Sequence, residues 1–104
     1  MNTKANKDGN KLPPVYAGRL IDLYREANNY NRDNHVAKDL NVTASMMSKI
    51  RSGIRAISDE ESIFLAKGAK IDPEIAILWC NHDRASTHTL RLHWSKIIEV
   101  MESR

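Results

Sequence analysis

The stretch that decides the fold is Asp33–Arg55, which reads DNHVAKDLNVTASMMSKIRSGIR. Its apolar residues recur at helical spacing in two short runs, Val36–Leu40 and Met47–Ile50. Asn41, between the runs, is one of the few non-glycine residue types that tolerate a left-handed turn conformation. Gly53 follows the second run and is the usual residue at a helix C-terminus. The pattern predicts two short helices joined by a tight turn.

Four further helices are expected around this pair. The first follows Pro13-Pro14 and carries an apolar stripe that ends at Asn28, and the second begins at the Ser58–Glu61 capping box and is ended or weakened by Gly68. The third is a short helix from Asp72 to about Cys80. The fourth covers 88–103, with an apolar stripe of Leu90, Trp94, Ile97, Ile98 and Met101. Residues 81–87 are expected to form a loop. No segment alternates with period two, so we predict an all-α fold.

Composition narrows the class of protein. The chain has 104 residues, 41% of them hydrophobic and 28% charged, which is typical of one folded domain. The longest apolar run, Ile75–Cys80, has six residues, whereas about 20 are needed to span a bilayer. Cys80 is the single cysteine and excludes an internal disulfide. No secretory signal follows Met1, so we expect a cytoplasmic or nucleoid-associated protein without membrane contact.

The charge is unevenly distributed along the chain. Residues 1–55 contain ten Lys or Arg and five Asp or Glu, whereas residues 56–104 contain six and eight. The stretch from Leu40 to Ser58 has no acid but contains Lys49, Arg51 and Arg55. Such a stretch favours a surface that faces a polyanion, and an ordinary solvated surface with chance clustering is the alternative.

The central motif resembles the helix-turn-helix of λ-repressor-like (Cro/C1-type, XRE-type) DNA-binding domains from phages and bacteria. The matching residues are Val36-Ala37, Leu40, Asn41 where the family usually has glycine, Val42, Met47, Ile50 and the ending Ser48–Arg55. The likeness covers roughly residues 16–80, and residues 81–104 have no counterpart in it. It implies a five-helix DNA-binding domain, here followed by an additional C-terminal amphipathic helix.

This interpretation divides the chain into three parts. A flexible basic arm occupies residues 1–12, where Lys4, Lys7 and Lys11 either follow the DNA backbone or are simply disordered. The helix-turn-helix domain occupies 13–81, with the motif at about 33–52. Residues 82–104 form a helical extension that packs on the domain or makes a dimer contact.

The outward face of the second motif helix carries the predicted DNA contacts. Opposite Met47 and Ile50 on a helical wheel lie short, hydroxyl-rich side chains and one lysine, which suit a major groove about 12 Å wide. The resembled family uses the start of this helix for bases and phosphates. We predict base contacts from Thr43, Ala44, Ser45, Ser48 and Lys49, and phosphate contacts from Asn34, Arg51, Ser52 and Arg55. Asn34 reads equally well as a helix cap.

Catalysis and metal binding have little support in the sequence. Cys80, His82, His88 and His93 do not have zinc-ligand spacing, and no nucleophile–base pair or glycine-rich phosphate loop is present. We therefore expect no enzyme activity, cofactor or metal, and a core position for Cys80.

The expected partners are double-stranded DNA and a second copy of the chain. Candidate residues for a dimer or partner interface are Ile75, Trp79, Leu92 and Trp94. The fifth helix, with Ile75 and Trp79, is apolar nearly all round, and Leu92 lies off the main apolar stripe of the sixth helix. Either the sixth helix or a second subunit covers the apolar surface of the fifth helix that one buried stripe does not account for. The resemblance implies a phage or bacterial repressor that binds a pseudo-palindromic operator. Two alternatives remain: an antitoxin-like autoregulator whose C-terminal helix binds a partner protein, and a protein-interaction adaptor without DNA binding.

Overall fold

The computed structural model describes residues 12–104 and shows six α-helices and no strand in that range. The helices are α1 (Ala17–Ala27), α2 (Asp33–Leu40), α3 (Ala44–Ser52), α4 (Asp59–Ala69), α5 (Pro73–Arg84) and α6 (His88–Glu102). The predicted all-α class is confirmed, and none of the described helices is long and apolar enough to cross a membrane. The predicted arm, with its three lysines, lies outside the described residues except for Leu12.

Most helix boundaries follow the predicted capping chemistry. Thr43 accepts a hydrogen bond from the Met46 amide at 3.0 Å, and Asp72 accepts one from the Glu74 amide at 3.0 Å. Ser58 and Glu61 form the complete capping box at the start of α4. These side-chain oxygens satisfy amide groups that have no partner in the first turn of a helix.

Left-handed residues join α2 to α3 and end α3, as predicted. Asn41 has φ 61° and Gly53 has φ 88°. The α2–α3 connection is therefore the short turn Asn41–Thr43, and the two helices pack directly against each other.

The core lies between α1, α4 and α5, with α2 and α3 packed on one side of α1. Its fully buried side chains include Leu20, Ile21, Val36, Met47, Ile50 and Leu65. Cys80 is buried in the same cluster, as predicted. Burial of the thiol raises its pKa to about 12, so the sulfur is a neutral core atom.

Gly68 lies near the C-terminus of α4, as predicted, but it is neither the last residue nor the cap of the helix. Helix α4 continues one residue past this glycine, to Ala69, and its C-cap is Lys70, which has φ 64°. The glycine is required by packing, because a Cβ atom there would overlap Cε2 of Tyr24 and lie 2.7 Å from its Cδ2. Close approach of α1 to α4 therefore explains a residue that the sequence suggested was a helix stop.

The predicted loop over 81–87 is wrong for its first four residues, because α5 extends to Arg84. Asp83 accepts hydrogen bonds from the amides of Val15, Tyr16 and Ala17 at 2.8–2.9 Å. It thereby caps α1 from a position more than 60 residues away. The predicted domain boundary between 81 and 82 consequently falls inside a helix.

Helix α6 packs on α5, and its covered face includes only part of the predicted stripe, since Ile98 is buried and Trp94 and Met101 are half-buried. Ile98 and Arg91 are buried, whereas Leu90 and Ile97 are each 45% exposed. The Arg91 guanidinium donates to the backbone oxygens of Pro13 and Asp83 at 2.7 and 2.9 Å. A buried arginine thus fixes α6 to the chain before α1 and to the end of α5.

Replacement Gly68→Ala is expected to destabilise the protein by about 1–3 kcal/mol despite the better helix propensity of alanine. The reason is overlap of the new methyl group with the Tyr24 ring. Urea unfolding followed by circular dichroism measures the change, with Lys67→Ala as the control in the same turn, since Lys67 is exposed. Equal stability of wild type and Gly68→Ala would contradict this account of the glycine.

Candidate nucleic-acid interface

The exposed face of α3 has the composition that the helical wheel predicted. Met47 and Ile50 are 2% and 1% exposed and anchor the helix to the core. All five predicted base-contact residues, Thr43, Ala44, Ser45, Ser48 and Lys49, are exposed, and so is Ser52. Helix α3 therefore presents a surface without acids and with a single long side chain.

The N-terminus of α3 is suited to bind an anion. The Thr43 oxygen is occupied as acceptor for the Met46 amide, but a hydroxyl also carries one hydrogen that can be donated. A helix N-terminus carries a partial positive charge, and the amides of Ala44 and Ser45 add hydrogen-bond donors at the same place. Thr43 and the first turn can thus hold a phosphate without any charged side chain.

A groove of about 230 Å³ runs between the start of α2 and the middle of α3. Asn34 lies on one side of it, and Ala44 and Ser48 lie on the other. Asn34 is exposed, and Arg32, rather than Asn34 or Asp33, is the N-cap residue of α2. Arg51 also lines the groove, which therefore brings two predicted phosphate contacts next to two predicted base contacts.

Arg51 joins α3 to the two preceding helices. Its Nε donates to Asp33 Oδ2 at 2.6 Å, and its Nη2 donates to Asp33 Oδ1 at 2.9 Å and to Asp22 Oδ1 at 2.6 Å. The Arg51 hydrogen bonds hold the pKa of the Asp33 carboxyl below its usual value. These bonds use Nε and Nη2 and fix α3 to α1 and α2, while no hydrogen bond is recorded for Nη1, so the predicted phosphate contact of Arg51 stays a prediction.

Arg55, three residues after the end of α3, has a similar arrangement. Its Nη1 and Nη2 donate to Oε1 and Oε2 of Glu61 at 2.7 and 2.8 Å. These bonds lower the pKa of Glu61, which also accepts from the Ser58 amide in the capping box. The Arg55 side chain is 32% exposed, so its predicted phosphate contact stays a prediction.

The cations that remain available lie on both motif helices. Lys49 is exposed on the outer face of α3, and no described carboxylate lies within 4 Å of it. The same holds for Arg32, which sequence analysis missed because an arginine is not a typical N-cap residue. Its position two residues before Asn34 was the available signal.

Carboxylates near this surface are already engaged. Asp33 is neutralised by Arg51, and Asp39 accepts from the hydroxyl groups of Tyr24 and Tyr30 at 2.7 and 2.8 Å. The tyrosine Tyr24 consequently has a raised pKa because of its burial and its hydrogen bond to Asp39. Lys49 and Arg32 therefore carry positive charge without an ion pair, whereas Asp39 is bonded only to neutral hydroxyl groups and keeps its negative charge.

The residues predicted for a protein interface lie in different environments. Trp79 is 3% exposed, stacks on Tyr16 with ring centroids 5.1 Å apart and is covered by the Arg19 guanidinium at 4.8 Å. Its Nε1 donates to Glu102 at 2.9 Å. The apolar surplus of α5 around Trp79 is therefore covered within the chain, by α1 and α6.

The other three interface candidates retain some surface. Ile75 and Trp94 are half-buried, and Leu92 is 64% exposed. Among residues 12–104 no group of three or more His, Cys, Asp or Glu side chains is arranged to hold a metal ion.

Comparison of this chain with models of protein families, with curated proteins and with solved structures finds no match.

The ion pair between Asp33 and Arg51 predicts a specific dependence of stability on pH. Because the folded-state pKa of Asp33 lies below its unfolded value of about 3.9, its contribution is fully present above that value. The contribution is lost as the pH falls through the folded pKa. Asp33→Asn should therefore cost about 2 kcal/mol at pH 7 and progressively less below about pH 4.

Urea unfolding from pH 7 down to pH 2.5 measures this difference. Glu60→Gln is the matched control, because Glu60 also lies in the first turn of a helix but has no ion pair among the described residues. A difference between wild type and Asp33→Asn that is unchanged at low pH would contradict the stated origin of the stabilisation.

Proposed function

We propose that this protein is a sequence-specific transcriptional regulator that binds double-stranded DNA through a λ-repressor-like helix-turn-helix formed by α2 and α3. The most direct support is the exposed face of α3, which is free of acids and built from short side chains. In this proposal the protein acts without a cofactor, as a repressor of the phage or bacterial type, on a pseudo-palindromic operator.

Steric considerations support α3 as the recognition helix. An α-helix with side chains is about 10–12 Å across, close to the width of the major groove. Ala44, Ser45 and Ser48 add little to this diameter, so the α3 backbone can approach the base edges. Lys49 is the one side chain on this face long enough to reach deeply, and its natural partner is the O6 and N7 edge of guanine.

Phosphate binding is proposed for groups on both sides of the groove. The first turn of α3 and its Thr43 hydroxyl provide one site, and Asn34 with the newly identified Arg32 provides another. In helix-turn-helix proteins the first motif helix crosses the DNA backbone and the second lies in the major groove. The two sites would therefore contact phosphates beside the part of the major groove that α3 enters. Arg51 supports both sites indirectly, since it fixes α3 relative to α2 through Asp33.

The Lys49→Ala protein tests this proposal directly. We expect it to bind its preferred duplex with about 10- to 100-fold lower affinity and to discriminate less at one base pair. Fluorescence anisotropy on a duplex first selected from a random library measures both quantities over a range of salt concentrations. Lys67→Ala is the control for the loss of one charge, because Lys67 is exposed on α4 and belongs neither to α3 nor to α6.

Unfolding curves of Lys49→Ala should match those of wild type, because the side chain is exposed. A salt-independent or undetectable affinity of the wild-type protein for DNA would favour the adaptor alternative. Equal losses for Lys49→Ala and Lys67→Ala on every duplex would show that Lys49 contributes only general charge.

The homodimer in this proposal is supported by the outer surface of α6. Seven large apolar side chains of the described chain are notably exposed, and four of them belong to α6: Leu90, Leu92, Ile97 and Val100. Leu90, Ile97 and Val100 follow a spacing of seven and three residues, which places them on one stripe of the helix. We propose this stripe, next to the half-buried Trp94, as the dimer contact.

Charge substitutions on α6 distinguish this stripe from the surface around Leu92. Leu92 and Ile97 are about 140° apart around the helix, so only one of them can lie at the centre of a helix–helix contact. We expect Ile97→Glu to raise the dimer dissociation constant at least tenfold and Leu92→Glu to leave it nearly unchanged. Sedimentation equilibrium measures both constants. A wild-type protein that remains monomeric would instead favour the antitoxin-like alternative, with a partner protein on the stripe.

A further inference from the structure

Residues 12–16, the segment before α1, lie against the C-terminal end of α3. At this end Gly53 has φ 88°, and a Cβ atom there would lie 2.7 Å from Cδ of Pro14 and 3.2 Å from its Cγ. The Pro14 ring therefore rests directly on the glycine that ends α3. We call residues 12–16 the strap.

Arg91 of α6 holds the first half of the strap. Its guanidinium donates to the backbone oxygens of Pro13 and Leu12 at 2.7 and 3.3 Å. Arg91 is 8% exposed, and no carboxylate of residues 12–104 lies within 4 Å of its guanidinium. A buried guanidinium loses its hydration, and an aliphatic side chain in its place would avoid this loss. What the arginine adds is a fixed position of the strap relative to α6.

Asp83 of α5 holds the second half of the strap and the first residue of α1. Its carboxylate accepts hydrogen bonds from the backbone amides of residues 15–17 at 2.8–2.9 Å. Arg91 also donates to the backbone oxygen of Asp83 at 2.9 Å, which joins the two anchors. The strap contains two consecutive prolines, whose rings fix φ at about −65°. A short segment with fixed torsions and bonded ends moves as one piece.

Packing beside the strap is incomplete, so its position depends on these anchors. A cavity of about 280 Å³ has walls from the strap, α3 and α5, including Pro14, Ile50 and Cys80. Protein interiors are otherwise close-packed and contain few voids larger than a water molecule. The strap is therefore not held by a filled core at this point. Its hydrogen bonds and the contact between Pro14 and Gly53 hold it instead.

The turn under Pro14 is connected to the backbone of Lys49. Directly after Gly53, the amides of Ile54 and Arg55 donate to the backbone oxygen of Lys49 at 2.9 and 3.1 Å. Displacement of the strap would uncover Gly53 and make opening of this turn easier, because local opening is favoured where buried contacts are few. The strap thus supports the turn that ends the proposed recognition helix.

We propose that the strap couples α6 to the last turn of α3, with Arg91 as a positioning residue for Lys49. Arg91 holds the strap while α6 is in place, and the turn loosens when α6 is displaced. A partner that displaces α6 then lowers the affinity for DNA, and bound DNA opposes that partner by the same factor. The effect on DNA rests on the proposed function, whereas the coupling itself does not.

Amide hydrogen exchange measures the coupling without DNA. Arg91→Met removes the donors and keeps a long side chain. We expect the amides of Ile54 and Arg55 to exchange at least about tenfold faster than in wild type, because they report opening of this turn. The amides of Met47, in the first half of α3, and of Ile71, after α4, should exchange at unchanged rates.

Further variants separate the strap from other effects. Pro14→Ala removes most of the ring from Gly53 and leaves Arg91 in place. It should speed exchange at the same two amides, and it provides a second test if Arg91→Met does not fold. Val15→Ala changes a strap side chain that is 57% exposed, and Lys67→Met makes a similar replacement at an exposed cation of α4. Both controls should exchange as wild type does.

A double-mutant cycle tests the connection to Lys49. Arg91→Met should lower the affinity for the selected duplex about tenfold, and much less when Lys49 is already replaced by alanine, because residues that act through one another are not additive. Fluorescence anisotropy measures the wild type, the two single variants and the double variant. Equal losses in both backgrounds would contradict action through Lys49.

Two exchange results would overturn the coupling. Unchanged rates at Ile54 and Arg55 in both Arg91→Met and Pro14→Ala would show that the strap does not support the turn. An equal increase at all four amides would show a general loss of stability. A wild-type protein without affinity for DNA would contradict the proposed function, and the exchange rates would still decide whether α6 and α3 are coupled.

Discussion

The bidentate contact between Arg51 and Asp33, extended to Asp22, determines how the second half of the motif is held. Helices α2 and α3 are short, with eight and nine residues, and helices of that length are not stable alone in water. Met47 and Ile50 bury one face of α3 in the core, and the half-buried Met46 packs against the same core. A guanidinium that bonds two carboxylates on two other helices adds a restraint on the orientation of α3, because its planar donors impose a fixed geometry. The outer face of α3 is consequently presented in one orientation.

Much of the fold was predictable wherever a local signal determines the backbone. Thr43, Gly53 and the Ser58–Glu61 box act within a few residues of the boundaries that they set. The misjudged features depend on contacts that are distant in sequence. Gly68 is explained by Tyr24 on another helix, and the part of α5 past Cys80 carries Asp83, which caps α1.

The residues of the candidate site also fall into those set by a local pattern and those set by contacts distant in sequence. Helical periodicity alone correctly placed Ser45, Ser48 and Lys49 on the outside, because Met47 and Ile50 define the inside. The partners of the arginines could not be predicted from spacing, since Arg51 meets carboxylates 18 and 29 residues away. A run without acids in the sequence therefore became a surface whose arginines are neutralised by acids from elsewhere. The cations that have no ion pair on this surface include Lys49 on α3 and Arg32 at the start of α2.

This redistribution of charge links the DNA contact to the dimer in the proposed function. Arginine's planar fork suits carboxylates and carbonyls within the protein, and Arg51, Arg55, Arg84 and Arg91 are all used in this way. Few free cations then remain on each protomer, and the electrostatic part of nucleic-acid affinity grows with the number of phosphates neutralised. A single protomer would bind DNA weakly. Two protomers joined rigidly through α6 would double the phosphate contacts and make the second binding step intramolecular. In this proposal the exposed stripe of α6 is therefore as necessary for operator binding as the face of α3.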